Sequence, residues 1–309
     1  MDARVVRPGA VRSLSVAIFA FAVAMSGCTA RPGGGSGAVE PAKVTAAGGL
    51  RVPESILYDP AADVYLVSCV NGSPFGEDGK GFVSRVRPDG GVEKLKWIEG
   101  GARGVVLDAP KGMALAGDVL YVADVTVVRK FDRTSGKPLA EIAIPGAAFL
   151  NDVAAGPDGT VYVSDSGFSR DFSPTDAGAV YAIAPDGSVK ALLKGGGLSA
   201  PNGILAESDG VLLVTWTDGK LQRLAKDGTL SDVAKLPAAK LDGLVREKGG
   251  SLLVSSWEGS CVYRVGPAGE VSVALGDLAS PADIGYDEKR GRVLVPLFNE
   301  DQIVCQRLE

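Results

Sequence analysis

The sequence predicts an all-β fold, a six-bladed β-propeller, and three observations point to it. A phrase of turn, short apolar strand, turn and second apolar strand recurs six times between residues 53 and 296. Glycine is abundant, at 42 of 309 residues, and short Val/Leu/Ile runs abut Gly, Pro and Asp throughout. That is the texture of many short strands joined by tight turns. The phrases start 40 to 57 residues apart, a period at which each repeat cannot bury its apolar face alone and stacks against its neighbours.

The six phrases fall at 53–58 with 64–68, 110–115 with 119–124, 150–155 with 161–165, 201–206 with 211–215, 241–245 with 251–255, and 281–286 with 292–296. A third strand follows each pair, as at 179–183 and 261–265, and a fourth usually comes after a hairpin turn. Pro88-Asp89-Gly90, Pro185-Asp186-Gly187 and Lys226-Asp227-Gly228 are such turns, with Gly at the position that needs positive φ. The unit is a four-stranded antiparallel blade, and six of them close a ring. The last repeat has only three strands before Glu309, so residues 42–47 are expected to pair outside 302–307 and join the chain ends.

The start of the chain reads as a targeting segment. Arg4, Arg7 and Arg12 precede an apolar run at 13–25 that is short for a membrane span. Met25-Ser26-Gly27-Cys28 resembles a bacterial lipobox, in which the Cys28 thiol takes the lipid; ordinary secretory cleavage with Cys28 incidental is the plainer alternative. The expected organisation is a signal peptide at 1–27, a lipidated Cys28 with a flexible linker at 28–41, and the propeller at 42–309. Such a protein sits at the cell envelope, anchored to a bacterial membrane through lipid.

Charge and composition exclude several chemistries. The net charge is −5; residues 1–27 carry +2, which leaves −7 on the rest. That balance repels phosphate backbones, and no Lys/Arg cluster interleaves with aromatics, so nucleic acid is not an expected partner. Beyond Cys28 only Cys69, Cys261 and Cys305 remain, enough for one disulfide and unsuited to a thiolate metal site. There is no histidine, which excludes a His-bearing zinc site.

The residue that opens the innermost strand differs from blade to blade: Glu54, Lys111, Asn151, Asn202, Asp242, Ala282. In a propeller these starts converge at one mouth of the central channel. Two carboxylates and two carboxamides on rigid strands suit a hard cation such as Ca²⁺, which takes 6–8 oxygen ligands. The plainer reading of Asn-Gly and Asp-Gly is turn chemistry, yet it leaves Glu54 at the matching place without a reason.

At these residues the sequence resembles the senescence marker protein/gluconolactonase (regucalcin-like) family, with kinship to diisopropyl fluorophosphatase and the paraoxonases. The resemblance covers about 42–309. It implies that Glu54, Asn151, Asn202 and Asp242 hold a catalytic divalent metal, usually Ca²⁺, and that the substrate is a lactone, ester or phosphotriester. Asp242 would then be metal ligand and also base or nucleophile, with Asp152 beside Asn151 as a supporting or substrate-binding group. The gluconolactonase branch carries Arg two residues before the middle-blade Asn, where Phe149 stands here. Lys111 either binds substrate or competes with the cation.

The pocket wall is expected from 70–80, Asp124, 166–176, Trp216, Trp257 and Phe298, with Phe75, Phe168 and Phe172 on lid or specificity loops. Trp216 and Trp257 bind substrate or pack between blades. The first functional expectation is an envelope-anchored, divalent-metal-dependent hydrolase of lactones or esters. The other is a non-catalytic propeller that binds a protein or small ligand there.

Overall fold

Residues 43–195 and 197–308 are described by the structure, a computed structural model. The expected signal peptide, Cys28 and the linker lie outside them. Each sequence phrase becomes the two inner strands of a four-stranded antiparallel sheet, and there are six such sheets. Blade 3 is representative, with strands Leu150–Ala155, Val161–Asp165, Ala179–Ile183 and Val189–Lys194 in consecutive order. The hairpin glycines take the left-handed backbone their turns require, with φ of 89° at Gly90, 86° at Gly187 and 90° at Gly228. In each of these turns the Asp side chain accepts the amide two residues on.

The ring closes as expected. Lys43–Ala46 is the outer strand of blade 6 and pairs with Gln302–Arg307, Lys43 opposite Gln306 and Ala46 opposite Ile303. Inside, the amide of Asp283 donates to the carbonyl of Glu54 at 2.9 Å, tying the last blade to the first.

The core is not one mass but six wedges, each between neighbouring blades. Leu66, Val83, Leu120 and Phe131 fill the wedge between blades 1 and 2, and Ile56, Tyr65, Leu294 and Ile303 the wedge between blades 6 and 1. Second strands are buried on both faces, as in Val64–Cys69 and Arg292–Leu297, which explains their continuous apolar runs. Cys69, Cys261 and Cys305 are buried free thiols, so the disulfide that the cysteine count allowed is not formed among them.

Candidate metal and substrate site

A bulge marks the start of every inner strand from blade 1 to blade 5. In blade 3 Leu150 pairs with Asp165 and Val153 with Val163, one residue more on the inner strand than on its partner. The same irregularity lies between Pro53 and Ser55, Pro110 and Met113, Pro201 and Ile204, and Leu241 and Leu244. Glu54, Lys111, Asn151, Asn202 and Asp242 all sit inside these bulges. A bulge re-aims a side chain without breaking the strand, and here five of them turn side chains toward one cavity. The bulge amides need acceptors, and in alternate blades a serine from the second strand supplies one. Ser68 accepts from Ser55 N, Ser164 from Asp152 N and Ser255 from Gly243 N.

The glycines after Asn202 and Asp242 have a second reason to be there. A Cβ on Gly203 would lie 2.2 Å from the carbonyl oxygen of Asp242, and one on Gly243 would lie 2.2 Å from the amide of Ile284. Inner strands approach so closely around the channel that only glycine fits. Asn-Gly and Asp-Gly therefore report close packing of blades rather than turns.

A cavity of about 360 Å³ opens at this mouth, with Glu54, Lys111, Asn151, Asn202 and Asp242 on its floor. Each of these five is at most 5% exposed. Four oxygens among them are buried with no hydrogen-bond partner: Glu54 Oε2, Asn151 Oδ1, Asn202 Oδ1 and Asp242 Oδ1. Two of their companion atoms are fixed. Asn151 Nδ2 donates to Ser166 Oγ at 3.0 Å, and Ser166 donates to the carbonyl of Pro201 at 2.7 Å. Trp257 Nε1 donates to Asp242 Oδ2 at 2.7 Å. Buried polar atoms are normally paired, so four orphaned acceptors around one cavity fit a hard cation. Among the described residues no group of three or more His, Cys, Asp or Glu side chains could hold a metal; this oxygen set is half carboxamide.

The electrostatics agree with that fit. Burial first, and then Asp242 and Asp283, push the Glu54 carboxyl well above its usual range, with Lys111 opposing them. Burial and Asp283 push Asp242 up to about 8, with the Trp257 hydrogen bond and the nearby Asn202 opposing. Burial lowers the Lys111 ammonium, with Glu54 opposing. The site holds more acidic groups than one ammonium balances.

Lys111 does not bridge the acids. Its Nζ donates to the carbonyl of Ala109 at 3.1 Å and lies 4.4 Å from the centre of the Phe149 ring. No ion pair of Lys111 with Glu54 or Asp242 is present among the described residues.

The wall is aromatic. Phe149, Phe168, Phe172, Trp216, Trp257 and Phe298 line the cavity, so Trp216 and Trp257 face it rather than filling a wedge between blades. Two expectations need correction. Asp152 does not line this cavity; its carboxylate accepts from Val153 N at 2.7 Å and Ile204 N at 2.8 Å, stitching blade 3 to blade 4, and it faces a second cavity along the rest of the inner strands. Being the next residue after Asn151, it points down the channel. Asp124 is likewise no wall residue, because it accepts from the amides of Asp108 and Ala109 and from Arg129. Ser166 and the Trp257–Asp242 bond are not evident from sequence. Asp283, whose carboxylate accepts from the Ser55 hydroxyl, is visible in principle by aligning one column further along the repeats.

Comparisons with known proteins place the fold and the family. No curated protein matches the chain. A putative gluconolactonase structure aligns with a TM-score of 0.66 at 20% identity, covering 86% of this chain and 92% of that one. A gluconolactonase from Xanthomonas campestris aligns at 0.65 and 19%, covering 84% and 87%. A catalytically inactive histidine-to-alanine variant of virginiamycin B lyase from Staphylococcus aureus aligns at 0.58 and 14%, covering 85% and 97%. At these identities the likeness speaks to the fold alone. The model of the SMP-30/gluconolactonase/LRE-like region matches residues 53–276, most of the chain and all five polar floor residues, and the chain belongs to that family.

Proposed function

We propose that the chain is a divalent-metal-dependent hydrolase of lactones or esters, held at the cell envelope through Cys28. The observation that carries the chemistry is the set of four orphaned, buried oxygens on Glu54, Asn151, Asn202 and Asp242 in one cavity. These residues would hold the cation, with Ca²⁺ the best match to an all-oxygen donor set. A bound dication there supplies Lewis-acid polarisation of the substrate carbonyl. Asp242 is the general base or nucleophile: Trp257 fixes one oxygen, and the other faces the cavity. Lys111, anchored on Ala109 and Phe149, sets positive charge beside the place where a substrate oxygen becomes negative. The histidine of the lyase has no possible counterpart, since this chain contains none. The family membership supports a lactonase-type reaction. The targeting reading rests on the lipobox-like Met25-Ser26-Gly27-Cys28.

The test is thermal melting after EDTA treatment and again with added Ca²⁺, together with a panel of lactones and aryl esters. Metal that binds only the folded state raises stability by roughly 2.7 kcal/mol at a hundred times its dissociation constant. Asp242→Asn should keep the fold and abolish turnover. A melting temperature indifferent to Ca²⁺, Mg²⁺ and Mn²⁺ alike removes the metal, and unchanged turnover in Asp242→Asn clears Asp242 of its role.

A further inference from the structure

Seven aromatic rings make a continuous arc around the mouth above the polar floor. Phe75 packs on Phe149 at a tilt with centres 4.4 Å apart, Phe149 meets Phe168 at 5.8 Å, and Phe168 meets Trp216 at 6.3 Å. Trp216 then meets Trp257 at 5.3 Å and Trp257 meets Phe298 at 5.2 Å. Of the ten Phe and Trp among the described residues, seven stand here, on loops from five blades. Phe75, Phe149, Phe168 and Trp216 form a packed cluster of their own, separate from the six wedges between blades, so the arc is not spill-over from the core.

Phe172 is the seventh ring. It is 50% exposed and sits against Phe75 at 4.9 Å and Phe149 at 6.1 Å, on the cavity rim. Its φ is 60°, a left-handed backbone that a bulky residue adopts only at a cost. An apolar ring held exposed and strained over a cavity gains most when a ligand covers it.

The side chains of the same wall offer a polyol few partners, two indole N–H groups and otherwise ring carbon. The indole N–H of Trp257 is committed to Asp242, and the floor oxygens are acceptors gathered in one place. A sugar ring seated here would bury its hydroxyls against ring carbon, and each unpaired hydroxyl weakens binding. Among the described residues Lys111 is the only cationic side chain lining the cavity, and it is already held by Ala109 O and the Phe149 face, so no second cation among them greets an acidic substituent.

We propose that this cavity takes an uncharged lactone or ester bearing an alkyl or aryl group, with the carbonyl on the floor and the apolar group along the Phe–Trp arc, and that it rejects polyhydroxylated sugar lactones. The place of the carbonyl rests on the hydrolase reading above; the apolar preference rests on the arc alone.

The experiment measures binding without turnover. Methyl-, propyl- and hexyl-substituted δ-lactams, and gluconolactam as the polyol, are titrated into the purified full chain with Ca²⁺ present, read by tryptophan fluorescence and calorimetry. Affinity should rise about fourfold per added methylene until the chain passes the rim. Gluconolactam should bind more than a hundredfold more weakly than the hexyl compound, roughly the loss of two unpaired hydroxyls. Phe172→Ser, on the exposed rim, should weaken the hexyl compound by roughly two- to tenfold and leave the methyl compound unchanged. A flat alkyl series, or gluconolactam binding as tightly as the hexyl compound, overturns the proposal. If the alkyl series holds while none of the matching lactones or esters is hydrolysed, the hydrolase reading fails and the apolar ligand class stands.

Discussion

Trp257 donates its indole N–H to one oxygen of Asp242 at 2.7 Å, and the other oxygen of that carboxylate is buried with no partner. The two residues belong to the same blade, Asp242 on the inner strand and Trp257 just past the end of the second. One side chain is thus both wall and support. It presents an apolar face to the cavity and fixes the carboxylate below, leaving its partner oxygen free for a ligand.

If the floor oxygens hold a cation as proposed, removing that support should weaken its binding. Trp257→Phe keeps the ring and deletes the donor. Groups that orient metal ligands typically contribute 10–100-fold in affinity or activity, and a loss in that range is expected for Ca²⁺ binding by calorimetry. The melting temperature in EDTA should change little by comparison, and an unaltered Ca²⁺ affinity would show that the bond does not position Asp242.

The close approach of inner strands gives a second expectation. In Gly203→Ala the new Cβ falls 2.2 Å from the carbonyl oxygen of Asp242, a backbone atom that cannot swing aside. Forcing atoms into such a site typically costs about 1–3 kcal/mol, and the shift displaces Asp242 itself. Denaturant unfolding should show the loss and metal titration a weakened site. Gly72→Ala is the control, because nothing lies within 4 Å of its added carbon; its stability should stay within about 0.5 kcal/mol of the parent. Equal effects of the two substitutions would contradict the packing argument.

Lys111→Met separates two roles of a buried ammonium. Lys111 is 1% exposed and opposes the upward push on Glu54. Without it the metal-free protein keeps its acids and loses their nearest cation, while the metal-bound protein loses a like charge beside the dication. The melting temperature in EDTA should change little, because the burial cost of the ammonium offsets its attraction to Glu54, and Ca²⁺ should bind roughly tenfold tighter or more, about 1.4 kcal/mol. If turnover also drops once metal is saturating, Lys111 acts on the substrate. Equal shifts of melting temperature with and without metal would mean that Lys111 is merely a packing residue.

Much of this architecture is legible in the sequence because its causes are local. Alternating turns and apolar runs mark the strands, and a three-stranded final repeat announces that Lys43–Ala46 must complete it. The floor residues are legible because each opens the same phrase, so one alignment column collects them. What the column cannot show is direction. Asn151 and Asp152 are neighbours in sequence, but across the bulge one faces the mouth and the other accepts the amide of Ile204 in the next blade. Serine roles are hidden for a similar reason: Ser164 and Ser166 look alike in sequence, and only pairing shows the first serving a bulge amide and the second holding Asn151. Asp124 reads as a rim residue because it ends a strand, whereas its neighbours' amides claim it.

The seam between the first and last blades should be acid-sensitive. Asp63 accepts from Arg290 Nη1 at 2.7 Å and Nη2 at 2.8 Å, from Lys289 at 2.6 Å and from Tyr58 at 2.9 Å, joining a blade 1 turn to a blade 6 turn. Arg290 foremost, with Lys289 and Tyr58, holds the Asp63 carboxyl well below its usual range, against a smaller opposing push from burial. A carboxyl lowered on folding contributes stability above its unfolded pKa of about 4 and loses it as the pH falls further. The Asp63 side chain is 37% exposed, so solvent screening limits the contribution to about 1 kcal/mol or less. Asp63→Asn should accordingly melt lower than the parent at pH 7, with the gap closing as the pH drops below about 4. The measurement is a pair of melting curves across that range. A gap that persists unchanged into acid would assign Asp63 a neutral hydrogen-bonding role.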